Sequence, residues 1–137
     1  MMGTKTLPDQ DQQIVKLLEE NQRLKQEKAN LEKSHELVKF LSDHFPQLVA
    51  YTDKNLVYRY VNKAYEKAFK MKRESIIGKK LPDLIGQKAY KKASQHVSKV
   101  LSGEEVRYLE CYDYPVYAKK YMDGHLIPDF SPEGEVK

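Results

Sequence analysis

At 137 residues the chain has room for one ordinary domain and one appendage. A hydrophobic share of 40% and a charged share of 32% fit a soluble protein with a long exposed element. The single cysteine, Cys111, excludes an internal disulfide and a cysteine-based zinc site, and no run approaches the roughly 18 apolar residues of a membrane helix.

The opening M-M-G-T-K-T-L-P-D-Q has no apolar segment of a signal peptide, so the expected location is cytoplasmic. The net charge of +4 is uneven: from Lys63 to Lys99 eleven Lys or Arg stand against Glu66, Glu74 and Asp83. Such a stretch suits an anionic ligand or partner. Without the aromatic-plus-arginine pattern of a nucleic-acid reader, it is expected to be a solvated helical surface that binds no nucleic acid directly.

In chain order, residues 1–10 carry Gly, Thr and Pro and are expected to fray. Residues 11–45 contain no Gly or Pro, favour helix, and place Leu17, Leu24, Leu31 and Val38 seven residues apart. With these at d, the a positions are Ile14, Asn21, Lys28 and His35. Two such helices side by side would bury the seam, and Asn21 paired across it would fix the register. Lys28 and His35 weaken it, so a marginal parallel homodimer is expected; a lone helix folded onto its own domain is the competing reading. Pro46 ends the helix near His44-Phe45.

P-Q-L-V-A-Y-T-D then reads as a strand, Lys54-Asn55 as a tight turn, and L-V-Y-R-Y-V as a second strand. Asn62 is expected to cap a short helix from Lys63 to about Phe69. Gly78, Pro82 and Gly86 punctuate two very short helical turns. A longer helix spans about Gln87 to Leu101, with Ala89, Ala93, Val97 and Val100 on one face. Two strand-like runs follow, V-R-Y-L-E-C-Y-D-Y-P-V and K-K-Y-M-D-G-H-L-I-P-D-F, and then the turn S-P-E-G.

Several segments in this order, T-D-K-N-L-V-Y-R-Y-V-N-K-A-Y-E-K-A-F, E-S-I-I-G-K-K-L-P-D-L-I-G and L-S-G-E, resemble the PAS domains of bacterial sensor proteins over about Leu37 to Val136. The resemblance implies an α+β PAS fold at residues 46–137, an antiparallel sheet with short helices on one face. It also implies a signal-sensing module that relays to an output module elsewhere. Lys70 stands where many of these sequences have glycine, so the local backbone is expected to differ. Only four of the family's five strands are expected, because the family's fifth would lie beyond Lys137, between the first and fourth. The chain therefore reads as a fragment of a longer signalling protein, more than as one that borrows a strand from its dimer partner.

No phosphate-cradling loop, metal signature or nucleophile with a matched base is found, so neither catalysis nor a metal is expected in this chain. A histidine on the corresponding helix is the haem ligand in some relatives, which makes His96 the residue to weigh; a boundary position is favoured over haem. Flavin is disfavoured, because the Asn-Cys-Arg motif of the photoactive relatives is missing; Cys111 is expected to be a packed strand residue.

Tyr51, Tyr58, Tyr60, Tyr108, Tyr112, Tyr114, Tyr117 and Tyr121 fall on expected strands, Tyr58 with Tyr60 and Tyr112 with Tyr114 sharing faces. Sheet packing is the plain role for them. A polar aromatic cavity for a small organic ligand is the sharper one, with Tyr51, His96, Arg107, Tyr112 and His125 as first candidates. Three functions stay open: a dimeric relay, a sensor governed by its pocket, and a protein–protein module of a transcription regulator.

Overall fold

The structure is a computed structural model that describes residues 6–115 and 119–137. The chain divides into two compact units, residues 1–41 and 42–137. The first is helical, part of α1 (Thr6–Asp43), 38 residues long and about 57 Å at 1.5 Å per residue. Helix starts at Thr6, ahead of the Asp11 read from the sequence, and ends three residues before Pro46, as the steric conflict of a pre-proline residue with helix requires. The expected d positions are uncovered, Leu17 at 65% and Leu31 at 71% exposed. Along the solvated face Arg23 lies 3.9 Å from both Glu20 and Glu27, too exposed to add much stability. No described helix is long and apolar enough to cross a membrane.

The second unit opens with β1 (Ala50–Thr52) and β2 (Tyr58–Val61), paired antiparallel with Tyr51 opposite Tyr60. Asp53 builds the turn between them. Its carboxylate accepts the Asn55 and Val57 N–H groups at 2.9 and 3.1 Å and binds Arg59 at 2.8 Å, a side-chain mimic of a backbone turn. The strand expected over residues 46–53 is shorter because the backbone of residues 47–49 is engaged elsewhere, by Asn62.

Asn62 is wholly buried and uses its full amide capacity. Oδ1 accepts from Tyr65 N–H at 3.2 Å, capping α2 (Lys63–Phe69), and from Val49 N–H at 3.1 Å. Nδ2 donates to the carbonyls of Ser42 at 2.8 Å and Gln47 at 2.9 Å.

After α2 come α3 (Arg73–Ile76), α4 (Leu81–Ile85) and α5 (Gln87–Leu101). The α3–α4 connection pairs with the free edge of β2: Tyr58 N–H reaches Lys79 O, and Gly78 N–H reaches Tyr58 O, both at 2.9 Å. Arg73, 12% exposed, joins Asp43 at 2.6 Å and Glu66 at 3.0 Å and lies over the Tyr60 ring. Tyr60 Oη is in turn hydrogen-bonded to Ser42 Oγ. The core collects Tyr58, Val61, Phe69, Ile76, Leu84, Ile85, Ala89 and Tyr112.

The last strands, β3 (Val106–Tyr112) and β4 (Lys120–Leu126), form a seven-pair antiparallel ladder running from Val106↔Leu126 to Tyr112↔Lys120. Pro115 and Pro128 stop them earlier than the hydrophobic runs suggest, since proline offers no ladder N–H. Tyr114 thus lies just past β3, and Tyr117 falls outside the described residues. Among the described residues the four strands make two separate ladders, β1–β2 and β3–β4. A hydrogen bond from Tyr51 Oη to Asp129 at 2.7 Å links the β1 side to the segment after β4. The S-P-E-G turn is present, with Phe130 bridged to Val136.

The expectation at Lys70 is corrected. Lys70 closes α2 with φ 53° and ψ 38°, its N–H on Glu66 O, the left-handed cap that glycine adopts most cheaply. The backbone there follows the glycine geometry and a lysine bears the strain. Lys70→Gly should therefore raise unfolding free energy in urea by about 1 kcal/mol; an unchanged or lowered midpoint would contradict that strain. Asn62→Ala removes four hydrogen bonds and leaves the Val49 N–H and the Gln47 carbonyl without the amide that pairs them, and should cost about 3 kcal/mol in the same titration.

Candidate functional site

The site is built where α5 crosses the inner face of β3. Gly86, at φ 84° and ψ 157°, starts α5; a Cβ there would meet Pro115 Cγ at 2.9 Å. From that start the 3.6-residue period sorts α5 into two stripes. Ala89, Ala93 and Val97 turn to the core. Lys88, Lys92 and His96, each one turn apart, meet β3 and the residue after it: Lys88 binds Asp113 at 2.8 Å and Lys92 binds Glu110 at 2.9 Å. Lys92 also donates to Cys111 O at 2.8 Å. These hydrogen bonds hold the Glu110 and Asp113 carboxyls below the usual carboxylate range, through Lys92 for the first and Lys88 for the second.

Strand alternation places Tyr108, Glu110 and Tyr112 on that inner face. His96, 12% exposed, stacks on Tyr108 with centroids 4.7 Å apart and planes within 10°. Tyr108 meets Tyr112 edge-on at 6.0 Å, and Tyr112 lies 5.8 Å from Tyr114. Tyr114 meets Phe69, which stacks on Tyr65 at 4.8 Å. Tyr65 Oη and Tyr58 Oη share a 2.6 Å hydrogen bond. Tyr108 can lie across the ladder only because its partner is Gly124: a Cβ there would stand 2.1 Å from Tyr108 Cζ.

The wall is therefore aromatic, but three of its buried polar atoms have no hydrogen-bond partner: Tyr112 Oη, His96 Nδ1 and His96 Nε2. His96 Nε2 lies 3.5 Å from Glu110 Oε1, near enough for electrostatic attraction and too poorly placed for a hydrogen bond. Burial pushes the Tyr112 and Tyr58 hydroxyls to higher pKa, so both stay neutral. Haem does not fit this arrangement. The His96 ring is covered by Tyr108 and its Nε2 is turned to a carboxylate, so no axial position is presented. Among the described residues no three His, Cys, Asp or Glu side chains cluster as a metal site.

Of the five candidate pocket residues, His96 and Tyr112 come together here. The other three lie elsewhere. Tyr51 is exposed and bonded to Asp129; Arg107 and His125 are opposite one another on the outer face of the β3–β4 ladder, with His125 bonded to Glu105. Strand parity without register does not assign a face, and a one-residue difference sends a side chain to the opposite one. Tyr58, Tyr65, Lys92, Tyr108, Glu110 and Gly124 were overlooked. The spacing Lys88, Lys92, His96 was the available signal for the polar stripe; nothing short of the register marks Gly124.

A pH test follows. The depressed Glu110 and Asp113 add stability above their unfolded pKa of about 4, and that stability is lost as pH falls through the lower folded values. Replacing Lys88 and Lys92 together by Met should flatten the fall of the urea midpoint between neutral and acid pH. An unchanged acid limb would remove these two pairs as its cause.

Comparison with known proteins places this geometry. A family model described as "PAS fold" matches residues 42–137. Among solved structures, the PAS domain of an HTR-like protein from Haloarcula marismortui superposes with TM-score 0.59 at 13% identity, covering 80% of this chain and 91% of its own. A domain of a sensory box sensor histidine kinase/response regulator from Geobacter sulfurreducens gives 0.55 at 15%, covering 76% and 90%. VqmA bound to DPO gives 0.55 at 19%, covering 74% of this chain and 52% of that one, so the match reaches about half of VqmA. Comparison with curated proteins gives no match.

Proposed function

The chain belongs to the PAS fold family, and on that premise we propose that residues 46–137 sense a small ligand at the α5–β3 wall while residues 11–45 pair two copies in parallel. PAS domains are sensor or interaction modules, and no enzyme family matches the chain. The observation that carries the reading is the set of unpartnered buried atoms, Tyr112 Oη and the two His96 nitrogens. A buried polar group without a partner costs about 1–3 kcal/mol, and a ligand bearing a carbonyl or ring nitrogen would relieve that cost. The stacked rings favour a flat aromatic or heteroaromatic molecule. That VqmA is recorded with DPO bound makes a small organic ligand a reasonable class.

The chain's own residues would do the relaying. A ligand that accepts from Tyr112 must settle beside Tyr108, whose ring is stacked on His96, and His96 borders the Glu110–Lys92 pair. Binding would therefore bias the α5–β3 seam, one face of the domain. Ser42 and Asp43, the last residues of α1, are held by Asn62, Tyr60 and Arg73. A shift in these anchors would alter how the paired helices leave the domain. The polar a positions Asn21, Lys28 and His35 keep that pairing weak enough to have two arrangements. The output module, in this reading, is a separate domain of a cytoplasmic signalling pathway.

The test joins two readouts. Native mass spectrometry of protein purified from cells should show a retained small molecule, and Tyr112→Phe should lose it by about tenfold or more while leaving the ligand-free fold as stable or slightly more so. Light scattering should show a dimer that Leu24→Asp with Leu31→Asp converts to monomer. No retained molecule and no loss on Tyr112→Phe would sink the sensing half; a monomer at high micromolar concentration would sink the pairing half.

A further inference from the structure

Lys63, Lys67 and Lys70 are exposed. On α2 the first two form one of two adjacent rails: Ala64 and Ala68 make the first and Lys63 and Lys67 the second, each pair one turn apart. The two alanines, with Phe45, Pro46 and Leu48 from the segment before β1 and with Lys67, line an open groove of about 480 Å³. Small side chains on α2 keep its floor low enough for another backbone to approach. Phe45, 54% exposed, stands at its edge.

Charge distinguishes this groove from a bland apolar dip. Asp43, which lines the groove together with His44, and Glu66 on α2 both turn to Arg73, at 2.6 and 3.0 Å, and Asp43 also accepts the Lys63 backbone N–H at 2.8 Å. Among the described residues no carboxylate lies within ion-pair distance of the Lys63, Lys67 or Lys70 ammonium groups. An apolar floor beside uncompensated cations complements an acidic amphipathic segment, the pattern of helix-in-groove recognition.

We propose that this groove docks an acidic amphipathic segment of a partner protein. Its apolar side chains would seat against Phe45, Leu48, Ala64 and Ala68, and its carboxylates would pair with Lys63, Lys67 and Lys70. A lipid surface fits less well, because Leu48, Ala64 and Ala68 are half-buried and a flat bilayer cannot reach a recessed floor. The docking surface is separate from the ligand wall, so it survives or fails independently of the sensing function.

The experiment uses the full chain and a fluorescein-labelled helical peptide with leucines at i, i+3 and i+7 flanked by glutamates. A twin carries lysines in place of the glutamates. Fluorescence anisotropy should show the glutamate peptide bound, its twin about tenfold weaker or more, and binding that weakens as salt rises. Lys67→Glu and Phe45→Ala, both at exposed positions, should each weaken the glutamate peptide by about tenfold, with unaltered circular dichroism melts showing that the fold is intact. Failure of the glutamate peptide to bind, equal binding of the two peptides, or indifference to Lys67→Glu and Phe45→Ala would overturn the proposal. So would preferential binding to pure phosphatidylserine vesicles or to duplex DNA.

Discussion

Everything in the second unit hangs on the amide of Asn62. Its four hydrogen bonds go to four residues in three places: Ser42 at the end of α1, Gln47 and Val49 in the connecting segment, and Tyr65 in the first turn of α2. Glutamine, the other amide with two donors and two acceptors, is one methylene too long for this position, and aspartate would lose both donors and leave the Gln47 carbonyl orphaned. A buried network of this kind is stabilising only when complete. Its completeness bears on where β1 begins, because the Gln47 carbonyl and the Val49 N–H go to the amide and the paired strand is Ala50–Thr52. One side chain therefore sets the strand's length, the helix's start and the path of the chain between them.

Electrostatics in this unit are arranged by proximity to Arg73 and α5, more than by total charge. Arg73 neutralises Asp43 and Glu66 and covers Tyr60, so the acids near α2 are withdrawn from solvent-facing lysines. On the other side of the domain Lys88 and Lys92 are themselves consumed by Asp113 and Glu110. The same basic stretch of sequence thus serves two ends. Its α5 part is an internal clamp on β3, and its α2 part is left as a cationic border. A single count of charges over residues 63–99 cannot separate them, because the division depends on which acids fold back to meet which lysines.

That difference explains what could be read in advance. Local signals were sufficient for the helices: Asn62 before K-A-Y-E-K-A-F, Gly86 before the α5 period, and Pro46 after α1 mark physical start and stop conditions that act within a few residues. The order of elements and the resemblance to the PAS fold followed from these. The candidate site was less legible. His96 and Tyr112 could be named, since one lies on the long helix and the other on an alternating strand, but Tyr51, Arg107 and His125 required knowledge of pairing. The register that sets Arg107 against His125 and turns both away from the helices is decided by Tyr108 packing over Gly124, a contact between residues sixteen apart. At Lys70 the local reading failed in the opposite direction: the residue departs from the family pattern, yet the backbone does not, because the i→i−4 bond to Glu66 and the packing of Phe69 hold it there against a modest strain.

The unit satisfies its buried or nearly buried polar groups with great economy at Asn62 and Arg73, and leaves them unsatisfied at Tyr112 and His96. Both conditions occur within one small core, so loose packing is an insufficient explanation for the second. Phenylalanine at 112 would fill nearly the same volume without an orphan hydroxyl, and leucine at 96 would pack beside Tyr108 without an orphan Nδ1. A stability-driven sequence would have little reason to keep either polar group. Their joint placement, flanking a single tyrosine ring on the face that α5 clamps, has a physical use if something polar enters from outside the chain. A polar group entering there would be preferred to an apolar one of the same shape, which would leave those groups unpaired.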